Sequence, residues 1–202
     1  MGETKHLSVN CSTKECPHFK TCCQLPSSCY YNAEGKIDVA IIGQGAGWQE
    51  ERDKRPWVGK AGELLRNILR DIRQDHMWDY GICLTNTVRC RPTELVDGKV
   101  TDRAPTQAEL NVCLPYLTRD ICELRPKVIL LMGGSSAKAC GLDGSVSSLR
   151  GKISDTFVFF PGNKIITTFH PAGVLRQPGL GKDMRKDIEL AFNLARNSNG
   201  TE

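Results

Sequence analysis

The sequence predicts an α/β domain, three α/β/α layers around a short, mainly parallel central sheet, and three observations carry that expectation. Four largely apolar runs, at 37–42, 80–85, 127–132 and 164–169, have the length of buried strands, and a shorter one lies near 156–160. Stretches with helical periodicity at 60–74, 106–123, 135–140 and 182–196 separate or follow them. Strands that alternate with helices pair in parallel, because right-handed crossovers lay helices on both faces of the sheet.

Each element has a local reason. Residues 1–36 hold Cys11, Cys16, Cys22, Cys23 and Cys29 among the turn formers Pro17, Pro26, Ser27, Ser28 and Gly35, without clear periodicity. They read as a cysteine-rich N-terminal segment, irregular and pinned by something other than a core, ahead of a domain spanning 37–202. Ile37–Ile42 opens into Gly43-Gln44-Gly45-Ala46-Gly47, a loop too lean in side chains to keep a ligand from its backbone. In 60–74, Leu64, Leu65, Ile68, Leu69 and Ile72 recur at i, i+3/i+4 spacing and form one apolar face. The 80–85 run, the weakest of the four, ends just before Asn86, and residues 93–102 read as a polar loop insertion. Thr106 and Glu109 have capping-box spacing, and Leu110, Leu114, Leu117 and Ile121 continue the helix they start. Ile165–Phe169 ends by presenting His170, followed by Pro171-Ala172-Gly173 and the tip Val174-Leu175-Arg176.

At 202 residues the chain is long enough for one domain with a sizeable core. A formal net charge of +4 permits a polyanion partner without requiring one. The basic clusters around Arg52-Lys54-Arg55, Arg89-Arg91, Arg176 and Lys182-Arg185-Lys186 serve equally well as solvated faces. No stretch approaches the roughly 20 apolar residues of a membrane span, and Met1–Asn10 lacks the apolar core of a signal peptide. The expectation is a cytoplasmic protein without membrane contact. In that reducing setting, ten cysteines point to metal or cluster ligation over disulfides.

The chemistry-bearing residues sit where strands end, the usual site position in open α/β sheets. The glycine loop lacks both the GxGxxG spacing of dinucleotide folds and the Lys-Ser/Thr of a phosphate loop, so alone it serves a tight turn as readily as a ligand. After it come Glu50 and Glu51, then Arg55-Pro56-Trp57-Val58-Gly59-Lys60-Ala61-Gly62, an acid/base pair and an aromatic leading into a helix. Trp57 is read both as core and as a stacking platform. Asn86, past the end of a strand, offers a donor and an acceptor together, which suits the edge of a planar heterocycle, or else caps a loop.

Taken in order, these motifs resemble the iron–sulfur branch, family 4, of the uracil-DNA glycosylase superfamily. The resemblance covers about residues 37–180. It runs through the glycine loop, Arg55–Gly62, Thr85-Asn-Thr-Val-Arg-Cys-Arg-Pro92, Arg103-Ala-Pro-Thr106 with Cys113, Arg150-Gly-Lys152 and His170-Pro-Ala-x-x-Leu-Arg176. It implies a glycosylase-like fold and hydrolysis of the N-glycosidic bond of uracil, or another deaminated base, in DNA, the first step of base excision repair. By similarity, Gly45, Trp57 and Asn86 would hold the extruded base, and His170 would donate to the oxygen that gains charge. An aimed donor of that kind is commonly worth about 3 kcal/mol. Val174, Leu175 and Arg176 would push into the duplex and hold phosphate. The family's glycine loop carries a glutamate and a proline where this chain has Gln44 and Ala46. Gln44 cannot act as a base, although its amide can still bond base or water, and Glu50 is the carboxylate expected to help.

The resemblance further implies a [4Fe–4S] cluster on four thiolates. Cys90 and Cys113 match two of the family's positions. The N-terminal Cys-x-x-Cys is missing, so Cys16 with Cys22, or with Cys23 as substitute, is expected to complete the set. Four thiolates suit zinc as well. Cys83, Cys122 and Cys140 are read as small buried hydrophobes, and His6, His18 and His76 as surface residues, with His18 a further candidate ligand. Two other readings compete: a catalytically weak DNA-binding member of the fold, favoured by Gln44, and a zinc-dependent nucleic-acid interaction module. The chain is expected to act as a monomer on uracil-containing DNA.

Overall fold

In chain order the elements are β1 (Thr4–Leu7), β2 (Ser27–Tyr30), β3 (Val39–Gly43), α1 (Trp48–Asp53), α2 (Lys60–Arg73), β4 (Ile82–Asn86), β5 (Thr93–Val96) and β6 (Lys99–Asp102). They continue with α3 (Gln107–Leu124), β7 (Val128–Met132), α4 (Gly134–Ala139), α5 (Val146–Leu149), β8 (Ile153–Ser154), β9 (Lys164–Thr168), α6 (Pro171–Arg176) and α7 (Gly181–Asn197). This computed structural model describes residues 4–7, 16, 25, 27–73, 79–154 and 162–198. Among them, seven strands form one sheet in the order β1-β2-β4-β3-β7-β9-β8. Its centre, β4-β3-β7-β9, is parallel, while β2 joins β4 and β8 joins β9 antiparallel.

The central strands are buried on both faces, which is why they read as unbroken apolar runs. Along β3, Val39 and Ile41 face the layer of α2 and α7, where Leu65, Leu69, Met184, Ile188 and Phe192 pack. Ala40 and Ile42 face the opposite layer, built on Leu117, Ile121 and Leu124 of α3. Each large side chain so enclosed contributes roughly 1.5–3 kcal/mol relative to exposure. The capping box forms as expected: Thr106 accepts from the Glu109 amide, and the Glu109 carboxylate accepts from Thr106 N–H at 2.6 Å. No helix among the described residues is long and apolar enough to cross a membrane.

Three expectations need correction. The 1–36 segment contains β1 and β2, and β2 is hydrogen-bonded into the main sheet instead of lying in an irregular head. Its polar residues are stable there because Ser27 Oγ lies 2.9 Å from both Thr85 Oγ1 and Asp120 Oδ2. Residues 93–102 form a β-hairpin. Its two-residue turn, Asp97-Gly98, has positive φ at both positions (51° and 74°), the backbone that Asp-Gly adopts most readily between antiparallel strands. Cys122 is exposed: it falls off the α3 stripe that runs through Cys113, Leu117, Ile121 and Leu124. Cys83 and Cys140 are buried as expected, and burial pushes the Cys140 thiol up to about 12. The strand expected near 156–160 lies outside the described residues, as do His18, His76 and, among the cysteines, Cys11, Cys22 and Cys23.

Candidate active site

The chain reverses its direction of travel across the sheet at β3, with β4 on one side and β7 on the other, and a crevice opens at such a point beyond the carboxyl ends of the strands. The loops leaving β3, β4 and β9 meet there. A cleft of about 630 Å³ is lined by Gln44, Glu50, Trp57, Asn86 and His170, together with parts of the glycine loop, the hairpin base and α6. Residues from four separate stretches of sequence thus come together.

Glycine makes the close approach possible. A Cβ on Gly43 would lie 2.5 Å from Asn86 Oδ1 and 2.6 Å from Trp57 Cζ2, so only a bare Cα lets the carboxamide and indole sit side by side. A Cβ on Gly62 would fall 1.8 Å from the Trp57 carbonyl oxygen, which fixes glycine in the first turn of α2. Trp57 is buried at 5% exposure, adopts left-handed backbone (φ 59°), and donates Nε1–H to the Thr85 carbonyl at 3.1 Å. Its ring stacks on His170 with centroids 5.6 Å apart and planes 23° from parallel. Trp57 is therefore core and cleft wall at once.

His170 caps α6, and its Nδ1 accepts the Ala172 amide at 3.2 Å. That bond assigns the ring proton of the neutral imidazole to Nε2. Burial, helped by the Arg176 charge, pushes the His170 pKa down to about 4, so the ring is neutral near pH 7 and still a donor. Gly133 (φ 89°) follows β7 beneath it, and a Cβ there would press to 2.9 Å from His170 Cβ. Two residues before His170, Thr168 donates to Asp187 at 2.7 Å, and Arg150 grips the same carboxylate at 2.9 and 3.0 Å. The Thr168–Asp187 bond thus ties the end of β9 to α7, and Arg150 braces the carboxylate.

Glu50, in the first turn of α1, accepts the Gly59 amide on Oε1 at 2.8 Å, while Oε2 lies near Gly47. Gln44 donates Nε2–H to the Arg103 carbonyl at 3.2 Å. Gly45 is bare because Val88, Pro92 and the Cys90 carbonyl crowd its Cβ position at 2.9–3.4 Å. In the expected wedge, Val174 is buried in the core at 6% exposure, and only Leu175 and Arg176 face outward. One helical turn cannot project three successive residues to the same side. Among the cleft residues not named as site residues from the sequence are Trp48, exposed beside the glycine loop, and Arg103, quoted there only within a motif and held bidentately by Glu109 at 2.7 and 2.8 Å. A tryptophan at the start of a short helix, with no apolar partner in its pattern, was the available signal for the first.

The class that fold and cleft define is an open α/β protein with a polar cleft, walled by Trp57 and His170, at the carboxyl edge of its sheet. The chain belongs to the uracil DNA glycosylase superfamily, whose family model matches residues 30–193. It is 34% identical over 166 residues to the type-4 uracil-DNA glycosylase of Pyrobaculum aerophilum, covering 79% of each chain. It is 35% identical over 167 residues to the type-4 uracil-DNA glycosylase of Thermotoga maritima, covering 78% of this chain and 79% of that one. The solved structure of wild-type SMUG2 from Pedobacter heparinus shares the fold, with a TM-score of 0.52 at 10% identity over 81% of this chain and 77% of that one.

Proposed function

We propose that this protein hydrolyses the N-glycosidic bond of uracil in DNA, the reaction its type-4 relatives are named for. The observation that carries the reading is the convergence of Glu50, Trp57, Asn86 and a neutral His170 on one cleft. A target nucleotide must leave the base stack to reach it. Asn86 then meets the edge of the ring: its acceptor suits uracil N3–H and its donor suits O4, and cytosine presents the reverse pattern. As the bond from base nitrogen to C1′ breaks, the electron pair moves onto the base, and His170 Nε2–H donates to the oxygen where that charge collects. The sugar becomes cationic. Glu50, held on Gly59, faces it as a carboxylate that balances charge and orients the water that adds to C1′. Gln44 keeps its loop docked on Arg103 and supplies an amide where relatives of the family carry an acid. We take the protein to act as a monomer.

The cysteines bear on a cluster in a structural role. Cys16, Cys90 and Cys113 are buried, and the Leu25 amide bonds the Arg89 carbonyl at 3.0 Å, drawing the N-terminal segment alongside Cys90. Among the described residues no three potential ligands form a metal-binding group, so Cys16, Cys90 and Cys113 are not assembled there and the four-thiolate set rests on the sequence resemblance. We take Cys16, Cys22, Cys90 and Cys113 as that set, holding a [4Fe–4S] cluster and no redox step. A colourless protein carrying zinc would favour the zinc alternative.

Alkali scission of a uracil-containing oligonucleotide tests the function. The wild type is expected to cleave under single-turnover conditions, with His170→Ala slower by about 100- to 1,000-fold. Binding without cleavage by the wild type would establish the weak-binder reading instead.

A further inference from the structure

We propose that the β5–β6 hairpin is a second DNA-contact element, which lays the Leu95–Val100 pair against the sugar and base edges of the strand flanking the extruded nucleotide. This rests on the reading of the cleft as a uracil-DNA site. Opposite residues of an antiparallel pair share one face, and the register sets Leu95 against Val100 and Thr93 against Asp102. Thr93, Leu95, Val100 and Asp102 therefore form one face of the ribbon, with Glu94, Val96, Lys99 and Thr101 on the other. Asp102 lines the cleft, as do Pro92 and Arg103 at the hairpin base. The apolar pair lies two residues farther out on that same face, so it continues the cleft wall by roughly 7 Å.

Nothing among the described residues covers it. Leu95 is 76% exposed and Val100 59%, and the ribbon is a two-stranded sheet of its own. An isolated hairpin is marginal in water, and this one is fastened at its root. Arg91 reaches Asp102 at 2.6 Å and Glu51 of α1 at 3.2 Å, and Arg103 bonds the Thr93 carbonyl at 3.0 Å while gripping Glu109 of α3. Trp48, another exposed large apolar side chain, also lines the cleft. The occupant follows from that continuity: whatever chain threads the cleft must pass the pair on leaving it. Glu94, Asp97 and Asp102 outnumber Lys99 on the ribbon, so it does not grip phosphate. Its contact is with apolar sugar and base surface, the kind of contact that wedge side chains make in a groove.

The experiment compares wild type with the double variant Leu95→Ser/Val100→Ser on a uracil-containing duplex, by fluorescence anisotropy and by single-turnover excision at saturating enzyme. The expected result is duplex binding weakened about tenfold, with the same salt dependence and an unchanged rate at saturation. The retained rate also shows that the variant is folded. An active wild type with a variant that binds equally tightly overturns this proposal alone, and leaves the ribbon to a protein partner. A wild type inert on uracil DNA overturns the reading of the cleft and the hairpin's role together.

Discussion

His170 shows how a single side chain is set for its task by neighbours that never touch substrate. The Ala172 amide takes up Nδ1, the Trp57 ring lies against one face of the imidazole, and Gly133 leaves room beneath. Burial then holds the pKa at about 4 against an ordinary 6.5. Between those values the unfolded chain binds a proton that the folded chain refuses, so stability rises with pH across that window and is lost as pH falls through it. The loss from this one group reaches about 3 kcal/mol by pH 4. Nuclear magnetic resonance should therefore show a His170 ring titrating near pH 4. Its replacement by asparagine should flatten the acid limb of the stability curve measured by urea unfolding. A midpoint near 6.5 would remove the neutral-donor account of the site.

At the scale of elements, what could be read from sequence depended on whether an element is held by apolar periodicity or by polar partners far away in the chain. β3, β4, β7 and β9 fell within two residues of expectation because burial on both faces leaves an apolar run, and Asn86 and His170 were found because they end such runs. β2 was missed because Ser27-Ser28-Cys29-Tyr30 looks like loop. It is held by a buried network in which Arg89 donates to Ser27 Oγ at 2.6 Å and pairs with Asp120 of α3. No local pattern announces a contact spanning 93 residues. The hairpin was missed for a smaller reason: its Asp97-Gly98 turn was read as polarity instead of geometry. The network carries a sharp expectation. Asp120→Ala leaves the Arg89 guanidinium, 3% exposed, without its buried counter-charge and should cost about 3–5 kcal/mol in urea unfolding. Asp71→Ala, which removes one of the two surface partners of Arg185, should cost about 0–1 kcal/mol. Equal losses would show the buried pair to be no more than a surface one.

For the whole molecule, the question is what joins the N-terminal segment, which adds Cys29 to the core beside α3, to the rest of the catalytic domain. The described contacts include β2 along β4, the Leu25 amide on Arg89, and the network around Asp120. Cys90 follows Arg89 directly, and Cys113 lies two turns before Asp120 on the same face of α3, so a cluster on these two cysteines would sit beside the joint these contacts make. Four thiolates drawn from 16, 22, 90 and 113 would close a loop of about a hundred residues, where a cross-link removes the most unfolded-state freedom. Cofactor and joint should then fail together. Cys90→Ser and Cys113→Ser are expected to lose bound iron and the broad visible absorbance of a cluster, and to unfold at lower temperature. Cys122→Ser, at an exposed thiol on the far side of the helix stripe, should keep both. Iron content and melting temperature measured on the same anaerobic preparations decide it, because a purely packing role for Cys113 would lower the melting temperature while leaving the iron in place.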